Sequence, residues 1–276
     1  MSESTSTRIR LTRRSWHRPG ALLWLVLAVS LSGCVWLRLL EVKNQLQEFD
    51  RNFRVTIAEQ LVVQFLHPVM LSDDFLYLTE LEPTRIEALP RGQRWLVDFH
   101  KLDAAGQIEK PLKTLTFTME FNERRKLTRF GFSPLFLAIA PPEFLEASIR
   151  SMGKGAVDTG HRQLRVDPQH LPKIAAPLPT HHSIIATFGR PLLETKDQGE
   201  LHAFYRFMAD TRPIKGNTGA NRLAEVRVSF DPASGRLNRM TGKFVGLKLR
   251  INYRSLQAAP AEEPKAKPAE HRLPVS

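Results

Sequence analysis

A chain of 276 residues allows one large domain or two small ones. With 42% hydrophobic and 25% charged residues it can bury a sizeable core, which excludes disorder as its general state. Its single cysteine excludes an internal disulfide, a cysteine-paired zinc site and a Cys-x-x-Cys redox motif, and the formal charge of +12 favours anionic neighbours.

At the start of the chain, Arg8, Arg10, Arg13, Arg14 and Arg18 stand against Glu3, which leaves +8 of the charge on residues 34–276. From Ala21 to Leu31 there is no charge at all. A basic start before an apolar stretch is the form of a secretory signal peptide, with the positive residues staying cytoplasmic. Arg13-Arg14-Ser15-Trp16 matches a twin-arginine signal only in part. The run closes on Leu31-Ser32-Gly33-Cys34: an aliphatic residue, two small ones and the only cysteine. This stretch resembles the lipobox of bacterial lipoproteins, in which the thiol forms a thioether to diacylglycerol and small residues let the backbone lie close in the processing enzymes. The resemblance implies a signal peptide over 1–33, lipidation of Cys34 and a mature chain beginning there. With the non-acidic Val35 next, it also implies sorting to the outer membrane, facing the periplasm. Two other readings stay open. Ala21–Leu40 spans about 20 residues, enough for an uncleaved inner-membrane signal anchor with a periplasmic domain and Arg38 at its outer end. Ala28-Val29-Ser30 is an ordinary cleavage site. Only lipidation accounts for where the cysteine stands.

Leu37, Leu40, Val42, Leu46, Phe49 and Phe53 predict a helical lead-in. Phe53, Val55, Ile57, Leu61, Val63 and Phe65 then alternate, broken only at Glu59, as in one half-buried strand. Ser72 is placed to cap a short helix whose Asp73 and Asp74 suit its positive end, and Glu82-Pro83 stops it. Trp95, Val97 and Phe99 mark a strand, and Leu115, Phe117, Met119 and Phe121 a second. After a turn at 122–126, Leu127–Phe132 returns as a third. A helix over Glu143–Met152 follows Pro141-Pro142 and ends at Gly153.

The pattern then restarts. Gln163–Val166 is a short strand, Thr180 caps a helix holding Ile184, Ile185 and Phe188, and Ala203–Phe207 is the next strand. Val226, Val228 and Phe230 alternate, Asp231–Gly235 turns the chain into Arg236–Met240, and Leu247, Leu249, Ile251 and Tyr253 close the series. Pro83, Phe121 and Leu127 recur as Pro191, Phe230 and Leu237, an offset of 108 to 110 residues. Beyond Gln257 the chain turns to Ala, Pro, Glu and Lys and cannot bury enough apolar area to fold. The expected fold class is therefore α+β: two related units, each a short helix plus an antiparallel meander, after the lipoprotein signal peptide. The expected divisions are signal peptide 1–33, lipidated N-terminus and helical lead-in 34–52, first unit 53–135, helix and connection 136–160, second unit 161–256, and disordered tail 257–276.

A helix ending in Gly189-Arg190-Pro191, the aromatic strand at Phe204-Tyr205, and a closing strand ending Phe230-Asp231 with a turn at Gly235 resemble the BamE-like small lipoproteins of the outer membrane. In the first half Glu82-Pro83 lacks the glycine. The resemblance implies a two-layer α+β fold and a role in binding proteins, not in chemistry.

No constellation for catalysis emerges, and no cofactor is expected. His161, His170, His181 and His182 show no metal-helix spacing, so no metal site is expected. Met152-Gly-Lys-Gly-Ala156 lacks the phosphate-loop arrangement, and Ser133, Ser148, Ser151 and Ser183 have no Gly-x-Ser-x-Gly setting. Arg124, Arg125 and Lys126 form a charged hairpin tip and the candidate contact with an anionic surface. The aromatics fall on core-facing strand positions instead of among basic residues, which argues against nucleic acid. The function expected is a lipid-anchored, non-catalytic interaction or assembly factor. It would meet the membrane through Cys34 and bind other envelope proteins or anionic envelope components. The alternative is an envelope binding module for a lipidic or apolar small ligand.

Overall fold

The computed structural model describes residues 35–153, 156–158, 163–165, 173–197, 199–212, 214, 220–244 and 247–258. The expected signal peptide over 1–33, Cys34, His161, His170 and residues 259–276 of the expected tail lie outside them, while Gln257 and Ala258 of that tail bond to Tyr253 and Ile174. Helix α1 covers 35–47 and leads through α2 (Phe49–Asn52) into the strands β1 (Phe53–Ile57) and β2 (Leu61–Phe65). Then come α3 (Ser72–Thr79), β3 (Arg85–Leu89), β4 (Gly92–Lys101), β5 (Thr114–Phe121), β6 (Leu127–Phe132), α4 (Pro134–Leu137) and α5 (Pro142–Met152). After the small hairpin β7 (Ala156–Asp158) and β8 (Gln163–Arg165), the chain continues as α6 (His181–Phe188), β9 (Leu193–Asp197), β10 (Glu200–Ala209), β11 (Leu223–Phe230), β12 (Leu237–Phe244), β13 (Leu247–Asn252) and α7 (Tyr253–Leu256).

The expectation of two α+β units is overturned. Eleven strands join in one curled, half-barrel antiparallel sheet in the order β1-β2-β6-β5-β4-β10-β11-β12-β13, with β3 on β4 and β9 on β10. The joint lies where Phe99, His100 and Lys101 of β4 pair with Ala209, Met208 and Phe207 of β10. Each of these long strands gives its first half to its own hairpin partner and its end to the other. The two-layer arrangement implied by the BamE-like resemblance is corrected by the same joint, because β10 to β12 continue the first-half sheet. Strands dominate the structure, and the short helices α4, α5 and α6 supply Phe136, Phe144, Ile184 and Phe188 to its core.

One core fills the covered face. Phe244 of β12 lies 5.5 Å from Phe117, 5.9 Å from Phe99 and 5.6 Å from Phe136 between ring centroids, so both halves of the chain share the same cluster. Burying a phenylalanine is worth about 1.5–3 kcal/mol, which rewards the continuous arrangement over two smaller cores. Leu115, Phe117, Met119 and Phe121 are buried, as are Val226, Val228 and Phe230. At the joint, buried Lys101 binds Glu109, donates to the Arg190 carbonyl at 2.7 Å and lies 5.6 Å from the Tyr205 ring. A charge so buried is tolerable only with such partners, and here they tie β4 to the turn after α6.

Local details differ from expectation in two places. Residues 53–65 form a hairpin, not one strand, because Ala58-Glu59-Gln60 turns the chain. Phe53 pairs with Phe65, Val55 with Val63 and Ile57 with Leu61, so a three-residue turn keeps the alternation in phase through the reversal. Ser72 is the first residue of α3 and not its cap; the Leu71 backbone N–H donates to Asp74 Oδ2 at 2.8 Å instead. Thr180 does cap α6, accepting from the Ser183 backbone N–H at 3.1 Å.

Within the one sheet, backbone contacts recur at an offset of 108 to 110 residues. Ser72 N–H donates to the Arg125 carbonyl as His181 N–H does to that of Gly235, and Leu127 N–H donates to Met70 as Leu237 N–H does to Pro179. A register shift falls at Phe121 in the β5–β6 ladder and at Phe230 in the β11–β12 ladder. Matching positions can therefore be compared side chain by side chain.

Candidate interaction face

Alternation along the strands sends one set of side chains into the core and the other to the opposite, outer face of the sheet. In the first half three arginines of that face have carboxylate partners. Arg94 bonds Glu120 at 2.8 Å and reaches Glu87 at 3.4 Å, Arg129 reaches Glu120 at 3.4 Å, and Arg85 lies 3.8 Å from Asp98. Hydrogen bonding to Glu120, the first of its favourable contacts, holds the Arg94 pKa above its ordinary value. On β1, Arg54 is exposed beside this cluster with no carboxylate in reach among the described residues.

The second half differs at the matching positions. Cross-strand neighbours Arg94, Glu120 and Arg129 are replaced by His202, Ser229 and Arg239, in the same register. His202 Nδ1 and Ser229 Oγ are 2.8 Å apart and both residues are buried, so Arg239 keeps its place but loses its counter-ion. Thr118 becomes Arg227, whose guanidinium lies 5.2 Å from the Phe204 ring centroid. On β11 to β13 the exposed charged side chains of this face, among those described, are Glu225, Arg227, Arg239, Lys243 and Arg250. Glu225 is already held by Arg206 at 2.8 Å. Among the described residues the four cations have no carboxylate partner. Their positions interlock: Arg227 pairs across with Thr241 and Thr241 with Arg250, while Ser229 pairs with Arg239. Diagonal neighbours on a sheet stand about 7–8 Å apart, close enough for four cations to act on one ligand surface.

The residues singled out from sequence lie elsewhere. Arg124, Arg125 and Lys126 form the β5–β6 turn, where Arg125 takes a left-handed φ of 58° and pairs with Asp73 at 2.9 Å. The Lys126 N–H donates to Asn122 Oδ1, and Arg124 is exposed. The turn is thus docked on α3, apart from the basic strands. Asp74 is buried and paired with Arg38 of α1. His181 Nε2 lies 2.7 Å from Glu194 and its ring packs on Phe230, while His182 is exposed. No group of three or more His, Cys, Asp or Glu side chains is placed to hold a metal among the described residues. Two open recesses of about 540 and 520 Å³ are lined by Glu82, Asp210, Arg212 and Arg222 in one and by His181, Arg190 and Glu194 in the other, with no core phenylalanine in either. Buried Tyr205 and Tyr253 have pKa values pushed up by burial, and Tyr253 donates to the Ile139 carbonyl.

The basic quartet was missed from sequence, although one signal pointed to it. Reading the offset pairs for charge, instead of for apolar positions, turns up Glu120 against Ser229 and Thr118 against Arg227. Compared with family models, curated proteins and solved structures, the chain finds no match.

Proposed function

We propose that this chain is a lipid-anchored protein of the bacterial cell envelope, attached through Cys34, that acts without catalysis as an interaction or assembly factor. Its partner is an acidic surface of another envelope protein, received on the outer face of β11 to β13. The observation that carries this reading is the set Arg227, Arg239, Lys243 and Arg250, exposed and without carboxylate partners among the described residues, where Arg85, Arg94 and Arg129 of the first half have them. Uncompensated charge on a rigid sheet raises the association rate with an oppositely charged partner and disfavours like-charged ones. A protein partner is preferred over lipid head groups because the four cations stand on the strands β11 to β13 and not on α1, the element that leads from the proposed anchor. Tethering to the membrane raises the effective concentration of such a neighbour in the same layer.

The test is co-purification from crosslinked envelopes. Arg227→Glu with Arg239→Glu should lose the partner while the protein stays membrane-bound and folded. Rising salt should weaken the wild-type association, since charges separated by more than about 8 Å are screened at physiological ionic strength. Retention of the same partners by the double variant would overturn the reading.

A further inference from the structure

Helix α1 has two faces of different character. Arg38 donates two bonds to Asp74, one of them from Nε at 2.6 Å, and this fixes how the helix sits against α3. From Arg38, helical spacing carries Val42, Gln45 and Leu46 along the same side, and Phe49 continues it in α2. Gln45, Leu46 and Phe49 are buried, and Val42 packs against the core. The opposite side begins with Trp36, Leu37 and Leu40, which are 46%, 66% and 50% exposed. It continues with Glu41, Asn44, Gln47 and Glu48, also exposed but polar. Three of the ten exposed large hydrophobic residues among those described therefore fall in one short stretch.

The outward side of α1 changes chemistry along its axis, between Leu40 and Glu41. At 1.5 Å rise per residue, Trp36 to Leu40 covers about 6 Å. A helix segment seated in the headgroup–acyl boundary buries its apolar side by about 5–10 Å, and tryptophan concentrates at that depth. The chain just before it, Ala21–Leu31, is apolar and uncharged and ends three residues before Cys34. We propose that the first turn and a half of α1 is embedded in the lipid interface, and that the Arg38–Asp74 clamp passes this orientation to the sheet. The domain would then stand on the membrane in one pose instead of swinging on a tether. This rests on the membrane attachment proposed above, and a lipidated Cys34 or an uncleaved anchor would serve equally, since each puts the bilayer directly before Trp36. The Arg38 charge does not oppose insertion, because its guanidinium is held by buried Asp74.

The experiment uses the full chain in vesicles of phosphatidylethanolamine and phosphatidylglycerol. Nitroxide labels are introduced at Leu37→Cys, Leu40→Cys, Asn44→Cys and Gln47→Cys, and the Cys34 background is measured on the unsubstituted chain. Labels at 37 and 40 should be shielded from a water-soluble nickel chelate and relaxed by oxygen, with the order reversed at 44 and 47. Without vesicles, the shielding at 37 and 40 should disappear. Equal chelate access at all four positions in protein that floats with the vesicles would overturn the proposal, with attachment intact. Shielding that persists without lipid would mean that protein covers this side, and would overturn it too. Failure to float would remove the attachment itself and the proposal with it. Leu37→Ser and Leu40→Ser combined should leave the melting transition unchanged, because these side chains stand on the side of α1 opposite the core.

Discussion

Replacing Phe244 by alanine probes the joint between the two halves of the sheet. The ring is 4% exposed and meets Phe99, Phe117, Phe136 and Phe207 at centroid distances of 5.5 to 6.3 Å, two of those partners standing on first-half strands. Truncating a buried phenylalanine costs about 3–5 kcal/mol. Lost ring–ring contacts, about 0.5–1.5 kcal/mol each, put Phe244→Ala toward the upper end. At about 2–4 °C per kcal/mol for a chain of this size, the midpoint should fall by roughly 8–20 °C. Thermal unfolding should be followed by near-ultraviolet circular dichroism together with amide exchange read separately on β5 and on β12. The expected result is one transition, displaced equally at both strands, because one core serves both. If β11 to β13 melted early while β5 kept its wild-type midpoint, the halves would be separate cores and the reasoning would fail.

Other perturbations have equally definite outcomes. Lys101→Met strips Glu109 of its buried partner and should cost about 3–5 kcal/mol in denaturant unfolding; a loss below about 0.5 kcal/mol would mean the pair is idle. Tyr253→Phe removes the bond to the Ile139 carbonyl and should cost about 1–3 kcal/mol at neutral pH. Because burial raises the Tyr253 pKa in the folded chain, its contribution is complete below about pH 10 and declines as pH climbs toward the raised value, so the alkaline fall in stability should be shallower in Tyr253→Phe. Asp74→Asn should cost about 2 kcal/mol, since Arg38 is partly exposed, and should speed amide exchange across 35–47 more than across the sheet.

Much of the strand content was legible because alternation depends only on neighbouring residues. Leu115 to Phe121 reads as a half-buried strand and is one. What alternation cannot supply is the partner. The β4–β10 pairing joins residues more than a hundred positions apart, and the apolar face of each half gives no sign whether it closes on itself or on the other. In the large sheet, β3 and β9 went unread because Arg85–Leu89 and Leu193–Asp197 are short edge strands in which no residue is buried. The hairpin at 53–65 passed for one strand because its turn preserved the phase. At the site, the charges of Arg227 and Arg250 were plain, but whether a charge is free depends on the strand beside it. Arg125 shows the converse: prominent in the sequence, it is taken up by Asp73.

The most direct measurement for the proposed function is site-specific photo-crosslinking in living cells. A photoreactive residue is placed at Arg239 or Arg250 of the full chain, and at Arg54 or Arg129 on the first half of the same sheet face, where the basic quartet is absent. Positions 239 and 250 should capture one discrete envelope protein with an acidic surface, and 54 and 129 should not. Capture of the same species at all four positions, or at 54 and 129 alone, would contradict the assignment of the β11–β13 face.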